Sequence, residues 1–382
     1  MNAGPADDIA SRRVDDVRRI AVLRANAVGD FVLTLPALEA LKTTYAGATL
    51  TLLGKPWHAR FLAERDGPVD EVVCVPPISG VTAPADAPVP AAHARAAADF
   101  LDDMRARRFD IAVQLHGGGR YSNPLVLALG ARVSAGFRAP DAVPLTRNFR
   151  YVPPEIDLHP RALLLRECVG LVGAESATIE PRLSLCPADI AELEHRMPGL
   201  DGPLVVLQPG ATDPRRRWSA RRFAAVGDAL AALGARVVVN GDADEALLAV
   251  RVCEAMRAPA INAAGQLSLG GLCALLARAR VVVSNDTGPA HLARALGVPT
   301  VTVYWIGNLH SYGPLCVRWH RVAVSYRTAC PACGRCNVST RCEHDVSFVD
   351  DVAVEEVIAL AAPLFHEAGD LPSSPAATPP LR

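Results

Sequence analysis

The sequence lacks most of what would place it in a membrane, outside the cell or on a nucleic acid. No stretch reaches the ~18 consecutive apolar residues of a spanning helix, and runs such as 123–131 and 357–365 are short enough to be buried core segments. The opening residues, MNAGPADDIASRRVDD, are acidic and small where a secretory signal would be basic and then apolar. The expectation is a cytoplasmic protein, with at most a peripheral contact at the cytoplasmic face of the inner membrane. No charge of one sign dominates: 39 basic against 40 acidic residues leave a formal charge of -1, so no overall field holds nucleic acid.

Several catalytic signatures are missing too. There is no GxGxxG dinucleotide fingerprint, no P-loop ending and no GxSxG elbow. In the second half DADE at 242–245 is only a weak imitation of a DxD-type metal-binding carboxylate pair.

What is there fits a soluble α/β protein. At 382 residues and 50% hydrophobic, the chain is long enough for two domains and for burying roughly three quarters of its unfolded surface. Short apolar runs alternate with longer helical ones, the pattern of parallel sheets covered on both faces. Strands are expected at 20–24, 49–53, 71–75, 111–115 and 133–136, with helices from about 30 to 41 and at 57–65, 93–107 and 122–129. The stretch 76–90, with five prolines, reads as a surface loop. The same grammar restarts with strands at 204–208, 236–240, 281–284 and 300–304 and helices at 220–233, 243–256, 269–279 and 290–296. The expected organisation is a loose tail at 1–17, one α/β domain at 18–190, a second at 200–349, a terminal helix at 350–366 and a Pro/Ser/Ala-rich tail at 367–382.

Five polar segments follow expected strands, where ligands gather in doubly wound sheets. RANAVGD at 24–30 places Asp30 at or near a helix start, as a cap or as a general base. QPGATDPRRRW at 208–218 offers Thr212 and three arginines, among them Arg216, to phosphate oxygens, or is a solvated charge run. NGDADE at 240–245 sets Glu245 early in a helix, as a ribose or sugar acceptor or as a favourable charge at the helix start. SNDTGPAHLARALG at 284–297 gathers Asp286, Thr287, Gly288 and His291, a turn-plus-cap or an anion-receiving loop. QLHGGGRYSN at 114–123 supplies Gln114, His116, Arg120 and Asn123 from the other half.

Of ten cysteines, four fall within thirteen residues: Cys330, Cys333, Cys336 and Cys342, spaced C-x2-C-x2-C-x5-C, with His344 two residues on. Structural zinc or iron, free thiols or adventitious disulfides, and an iron–sulfur cluster all fit this spacing.

RANAVGDFVLTLPALEALK and SNDTGPAHLARALGVPTVTVY, in this order and separation, resemble the two signatures of the ADP-heptose:lipopolysaccharide heptosyltransferases, glycosyltransferase family 9. The resemblance spans about residues 19–365. It implies a GT-B fold: two Rossmann-like domains whose parallel sheets face each other across a cleft, acceptor on the first and nucleotide sugar on the second. It also implies inverting transfer without a catalytic metal or other cofactor, Asp30 as base, and an acceptor received by the first domain, the half in which Gln114, His116, Arg120 and Asn123 are read from their own loop as acceptor-binding. Thr212, Arg216, Glu245, Asp286, Thr287, Gly288 and His291 are implied donor contacts, with arginine at 216 where the family usually has lysine. The implied partners are ADP-heptose or a related nucleotide sugar and a glycan or glycolipid acceptor, with no nucleic acid. Another nucleotide sugar, a protein or small-glycoside acceptor, and a binding protein without turnover remain alternatives.

Overall fold

A computed structural model describes residues 9–86, 88–153, 158–338 and 340–367. The C-terminal tail and the first eight residues of the N-terminal one lie outside the described residues. The chain divides into two compact units between Pro181 and Arg182.

In the first unit, near-continuous Val/Leu/Ile runs form strands buried on both faces. The elements are β1 (Arg19–Leu23), α1 (Val28–Val32), α2 (Leu35–Thr44), β2 (Thr49–Gly54), α3 (Pro56–Leu62), β3 (Glu71–Cys74) and α4 (Ala91–Ala106). They continue with β4 (Ile111–Gln114), α5 (Ser122–Ala128), β5 (Val133–Arg138), β6 (Arg147–Arg150) and α6 (Arg161–Val169). All six strands pair in parallel in the order β3-β2-β1-β4-β5-β6. The single helix expected from about 30 to 41 is two, α1 and α2. Pro36 stands in the first turn of α2, and the Thr34 hydroxyl donates to the Asp30 carbonyl at 2.7 Å.

The second unit repeats the plan with α7 (Pro187–Arg196), β7 (Leu204–Gln208), α8 (Ala220–Ala232), β8 (Arg236–Val239), α9 (Ala246–Ala255), β9 (Ala260–Asn262) and α10 (Leu269–Arg278). It closes with β10 (Ala279–Asn285), α11 (Gly288–Ala295), β11 (Thr300–Trp305), α12 (Ile306–Tyr312), β12 (His320–Ser325) and α13 (Val354–Glu367). The order β12-β11-β10-β7-β8-β9 is the same winding, again parallel throughout. In each sheet the strand order reverses once, between β1 and β4 and between β7 and β10. At such a point the following loops part and leave a crevice at the carboxyl ends.

Three boundaries differ from expectation. Residues 182–200 belong to the second unit, because Glu192 of α7 accepts from the Ser268 N–H at 2.6 Å and from its hydroxyl, tying α7 to the start of α10. The tail expected at 1–17 is docked from residue 12 onward. Arg147 donates to the Arg12 carbonyl at 2.5 Å, Arg132 to the Asp15 carbonyl at 2.6 Å, and the Val14 N–H to the Tyr45 hydroxyl at 3.1 Å. The proline-rich loop is pinned at its start. Thr82 bridges the Pro76 carbonyl and the Ile78 N–H, and Tyr121 lies where a Cβ on Gly80 would sit. Helix α13 packs on the second unit, with Val357, Ala361, Leu364 and Phe365 in one core with Phe223 and Trp218.

Candidate active site

In the first unit the site grows from the end of β1. Ala27 caps α1, so Asp30 sits within its first turn rather than at the cap. Arg24, at the end of the strand, is buried. Its Nη2 donates to Asp30 Oδ1 at 3.1 Å, Nε and Nη2 reach the Asp30 carbonyl at 3.3 and 3.0 Å, and Nη1 donates to the Leu115 carbonyl. Asp30 Oδ2 has no hydrogen-bond partner among the described residues, and the side chain is 30% exposed. The arrangement orients one carboxylate oxygen and leaves the other for a ligand.

Beside this pair, His116 Nδ1 accepts the Ala25 N–H at 3.3 Å. Burial, then the Arg24 cation, push His116 down to about 4, so its ring is neutral at pH 7. His58 lies stacked on Trp57, ring centroids 3.6 Å apart, and burial pushes it down to about 3.

The four residues expected on the acceptor side do not act alike. Gln114 is fully buried and spends its amide inside the unit. It donates to the His116 and Gly117 carbonyls and to Ser122, and it accepts the Phe137 N–H at 3.0 Å. Asn123 is likewise buried, donating to the Phe137 and Val143 carbonyls. Its amide fills the space a Cβ would take on Gly119, where φ is +99°. These two shape the loop after β4 rather than face a ligand. His116 and Arg120 remain at its surface, Arg120 exposed and 3.5 Å from Asp141.

In the second unit the loops after β7, β8 and β10 converge. Asn285 ties two of them together, accepting the Trp218 N–H at 3.1 Å and donating to the Pro209 carbonyl at 2.7 Å. Asp286 is buried, takes Arg216 Nη1 at 3.0 Å and accepts from the Asn308 amide, with His291 Nε2 3.7 Å from its other oxygen. Burial raises the Asp286 carboxyl, and the Arg216 and Arg294 cations oppose that. His291 contacts Arg294 through Nδ1, and burial with the Arg294 and Arg216 cations keeps it neutral, well below its ordinary range.

Of the three adjacent arginines, Arg215 is clamped on Asp213 and Arg217 donates to the Ala211 carbonyl, leaving Arg216 as the cation beside Asp286. Thr212, four residues earlier in the chain, is exposed. The start of α11 is a poorer amide donor than expected. Pro289 has no N–H, and the Ala290 and His291 N–H groups turn back to the Thr287 carbonyl at 3.1 and 3.4 Å. Gly288 opens this helix with Thr287 as its cap residue.

Glu245 precedes α9. It accepts from the Gln208 amide at 3.2 Å and the Asp242 N–H at 3.3 Å, while Asn240 holds the Gln208 carbonyl at 2.7 Å. Burial, then Asp242, raise the Glu245 carboxyl. Its carboxylate lies flat on Gly210, where a Cβ would fall 1.9–2.1 Å from it.

The cysteine cluster is not the expected foursome. Cys330, Cys333, Cys342 and His344 bring one ligand atom each within 4.8 Å of one another. Cys336 is outside this group, and its backbone pairs antiparallel with Ala329. The Cys330–Gly334 turn closes through Gly334 N–H to the Cys330 carbonyl at 2.9 Å and Ala332 N–H to Cys330 Sγ at 3.4 Å. The His344 N–H, with the Asn337 amide, pulls the Cys342 thiol down to about 6. Tetrahedral ~2.3 Å metal–sulfur bonds put ligand atoms roughly 3.8 Å apart, and this set fits such an ion.

Arg24, Asn308 and Arg294 had no role assigned from the sequence. Arg24 lies inside RANAVGD, and Arg294 stands one helical turn beyond His291, a spacing that brings two side chains to one face. Asn308 lies in the first turn of α12, a helix that the apolar pattern does not reveal.

Two doubly wound parallel units, each with an arginine–aspartate pair at the reversal of its strand order, make up a GT-B fold. The fold is shown by likeness to two solved structures. One is the glycosyl transferase family 9 of Veillonella parvula, with TM-score 0.73 and 22% identity, covering 92% of this chain and 98% of that one. The other is E. coli ADP-heptose lps heptosyltransferase II, with TM-score 0.72 and 19% identity, covering 92% and 99%. Residues 98–339 match glycosyltransferase family 9 (heptosyltransferase), and the chain belongs to that family. It is 26% identical over 288 residues to lipopolysaccharide heptosyltransferase 3 of E. coli, covering 72% of this chain and 80% of that protein.

The contact of Glu245 with Gly210 yields a test. Gly210→Ala displaces only the end of a flexible side chain, so the protein stays folded by circular dichroism. Nucleotide affinity measured by calorimetry falls about tenfold, ~1.4 kcal/mol. Unchanged affinity would remove Glu245 from the nucleotide site.

Proposed function

We propose that this enzyme moves heptose from ADP-heptose to a hydroxyl of lipopolysaccharide core with inversion, and that Asp30 is the general base. The observation that carries this reading is the Asp30 carboxylate, fixed through one oxygen by a buried arginine and open at the other. The resemblance of RANAVGD to the family signature supports the role. The names of the E. coli relatives support the donor and the acceptor class.

An acceptor hydroxyl is a weak nucleophile until its proton is taken, and Asp30 Oδ2 accepts it as the oxygen attacks the anomeric carbon. The bond from that carbon to the diphosphate breaks on the opposite face, so one displacement inverts the centre. The electron pair leaves with ADP. Arg216 meets the growing charge as a guanidinium already oriented by Asp286, and the Thr212 hydroxyl of the same loop joins it. Glu245 takes ribose hydroxyls. Thr287, Gly288 and His291 contact the sugar and diphosphate, with His291 as a neutral partner. His116 and Arg120 serve the acceptor. The chain's own cations do this work in our reading, so transfer needs no catalytic metal. Among the described residues no helix is long and apolar enough to cross a membrane. We place the enzyme in the cytoplasm, meeting its glycolipid acceptor peripherally at the inner face of the membrane.

Cys330, Cys333, Cys342 and His344 hold a structural ion in this reading. A Cys3His set is a zinc set, and an iron site of the all-thiolate kind would need Cys336. The ion supplies folding energy to the segment after β12 and no step of transfer.

Two outcomes follow. Asp30→Ala lowers kcat by about 10²–10⁴ with donor affinity unchanged, read by mass spectrometry of product from ADP-heptose and core acceptor; wild-type rates would refute the base assignment. Elemental analysis finds one zinc per chain, retained by Cys336→Ser and lost by Cys342→Ser. Loss of metal in Cys336→Ser would overturn the ligand set.

A further inference from the structure

The clamped arginine of the QPGATDPRRRW loop, Arg215, does more than neutralise Asp213. Its Nε lies 3.1 Å from both Asp213 oxygens and its Nη2 2.6 Å from Oδ2, while Nη1 donates to Asn337 Oδ1 at 3.2 Å. Asn337 is buried within the cysteine segment. The same Oδ1 accepts the Cys342 N–H at 3.0 Å, and its Nδ2 donates to Cys342 Sγ at 3.3 Å. One amide therefore holds both the backbone and the sulfur of a metal-ligand residue and, on its other side, the arginine of the phosphate loop.

Two further bonds run alongside. The Phe348 N–H donates to the Arg215 carbonyl at 2.7 Å, and the Ser347 hydroxyl to the Arg217 carbonyl at 2.7 Å. Asp213, at the far end, caps the turn Pro214–Arg216 through the Arg215 N–H at 3.1 Å. That turn carries Arg216, and Thr212 immediately precedes it.

We propose that Asn337 and Arg215 are positioning residues that couple the Cys3His site to the nucleotide site, so that a bound metal ion and a bound nucleoside diphosphate strengthen each other. The inference rests on the reading of residues 212–216 as the diphosphate loop. An ion on Cys342 Sγ fixes the strand of backbone that Asn337 reads. Asn337 then fixes Arg215, Arg215 fixes Asp213, and the turn presents Arg216 and Thr212 in one geometry. Without the ion the sulfur and its segment are free to shift, and ordering the loop falls to the nucleotide. Coupling of this kind is reciprocal by thermodynamic necessity.

The test is a linkage cycle on the full chain with zinc and ADP as the probes. Calorimetry gives ADP affinity for zinc-loaded and chelated protein, with circular dichroism to confirm that the chelated form is folded. In wild type, zinc tightens ADP about fivefold or more. In Arg215→Gln, which leaves every metal ligand in place, ADP binds more weakly and ignores zinc. Should the chelated form unfold, the same coupling is read from the other side: ADP tightens zinc against a chromophoric chelator by the same factor in wild type and not in Arg215→Gln. ADP affinity that ignores zinc in folded wild type, or Arg215→Gln responding like wild type, overturns the coupling alone. Zinc-loaded wild type that binds no ADP overturns both the coupling and the nucleotide reading beneath it.

Discussion

At each reversal of strand order an arginine is paired with an aspartate, and the two pairs are buried in opposite senses. At β1/β4 the cation is inside: Arg24 is 5% exposed and Asp30 30%. At β7/β10 the anion is inside: Asp286 is 2% exposed and Arg216 26%. A buried charge needs a partner, and the partner is thereby oriented toward solvent. The first unit thus presents a fixed carboxylate, suited to taking a proton. The second presents a fixed guanidinium, suited to receiving phosphate. One topology used twice yields two chemistries through the choice of which ion is buried.

The surroundings serve these pairs. Arg24 also holds the Leu115 carbonyl, so the loops after β1 and β4 move together. Asn285 does the same for the loops after β7 and β10. The histidines nearby are neutral through burial and adjacent arginines, which leaves Asp30 as the ionic partner of Arg24 and Asp286 as that of Arg216. The cysteine segment extends the scheme outward, bracing the arginine turn from behind through Asn337 and Ser347.

Much of this was legible because strands buried on both faces write themselves as apolar runs, and because the loops at their ends carry Gly, Asp, Thr and His at close spacing. Among the elements that escaped are two short strands that leave no apolar signal. β6 is RNFR, a polar edge strand, and β9 has three residues, so neither produces an apolar run. Helix α7 was not expected at all, and the first domain was carried to residue 190, because the attachment of this segment depends on Glu192 reaching Ser268, a contact that local pattern does not encode. In the site, residue types were readable but their orientation was not. Gln114 and Asn123 have the chemistry of ligand contacts, yet both are buried and neighbouring carbonyls take up their amide N–H groups. His344 stands in the group where Cys336 was expected, an exchange that cysteine spacing alone does not show.

In the proposed function the Asp30 carboxylate takes the acceptor proton and the Arg216 cation receives the leaving diphosphate, which makes the transfer a single displacement with no sugar bound covalently to the chain. The stereochemistry of the product reports on this directly. With purified enzyme, ADP-heptose and a core acceptor, NMR of the new glycoside should show the anomeric configuration opposite to that of the donor. Retention of the donor's configuration would contradict the account.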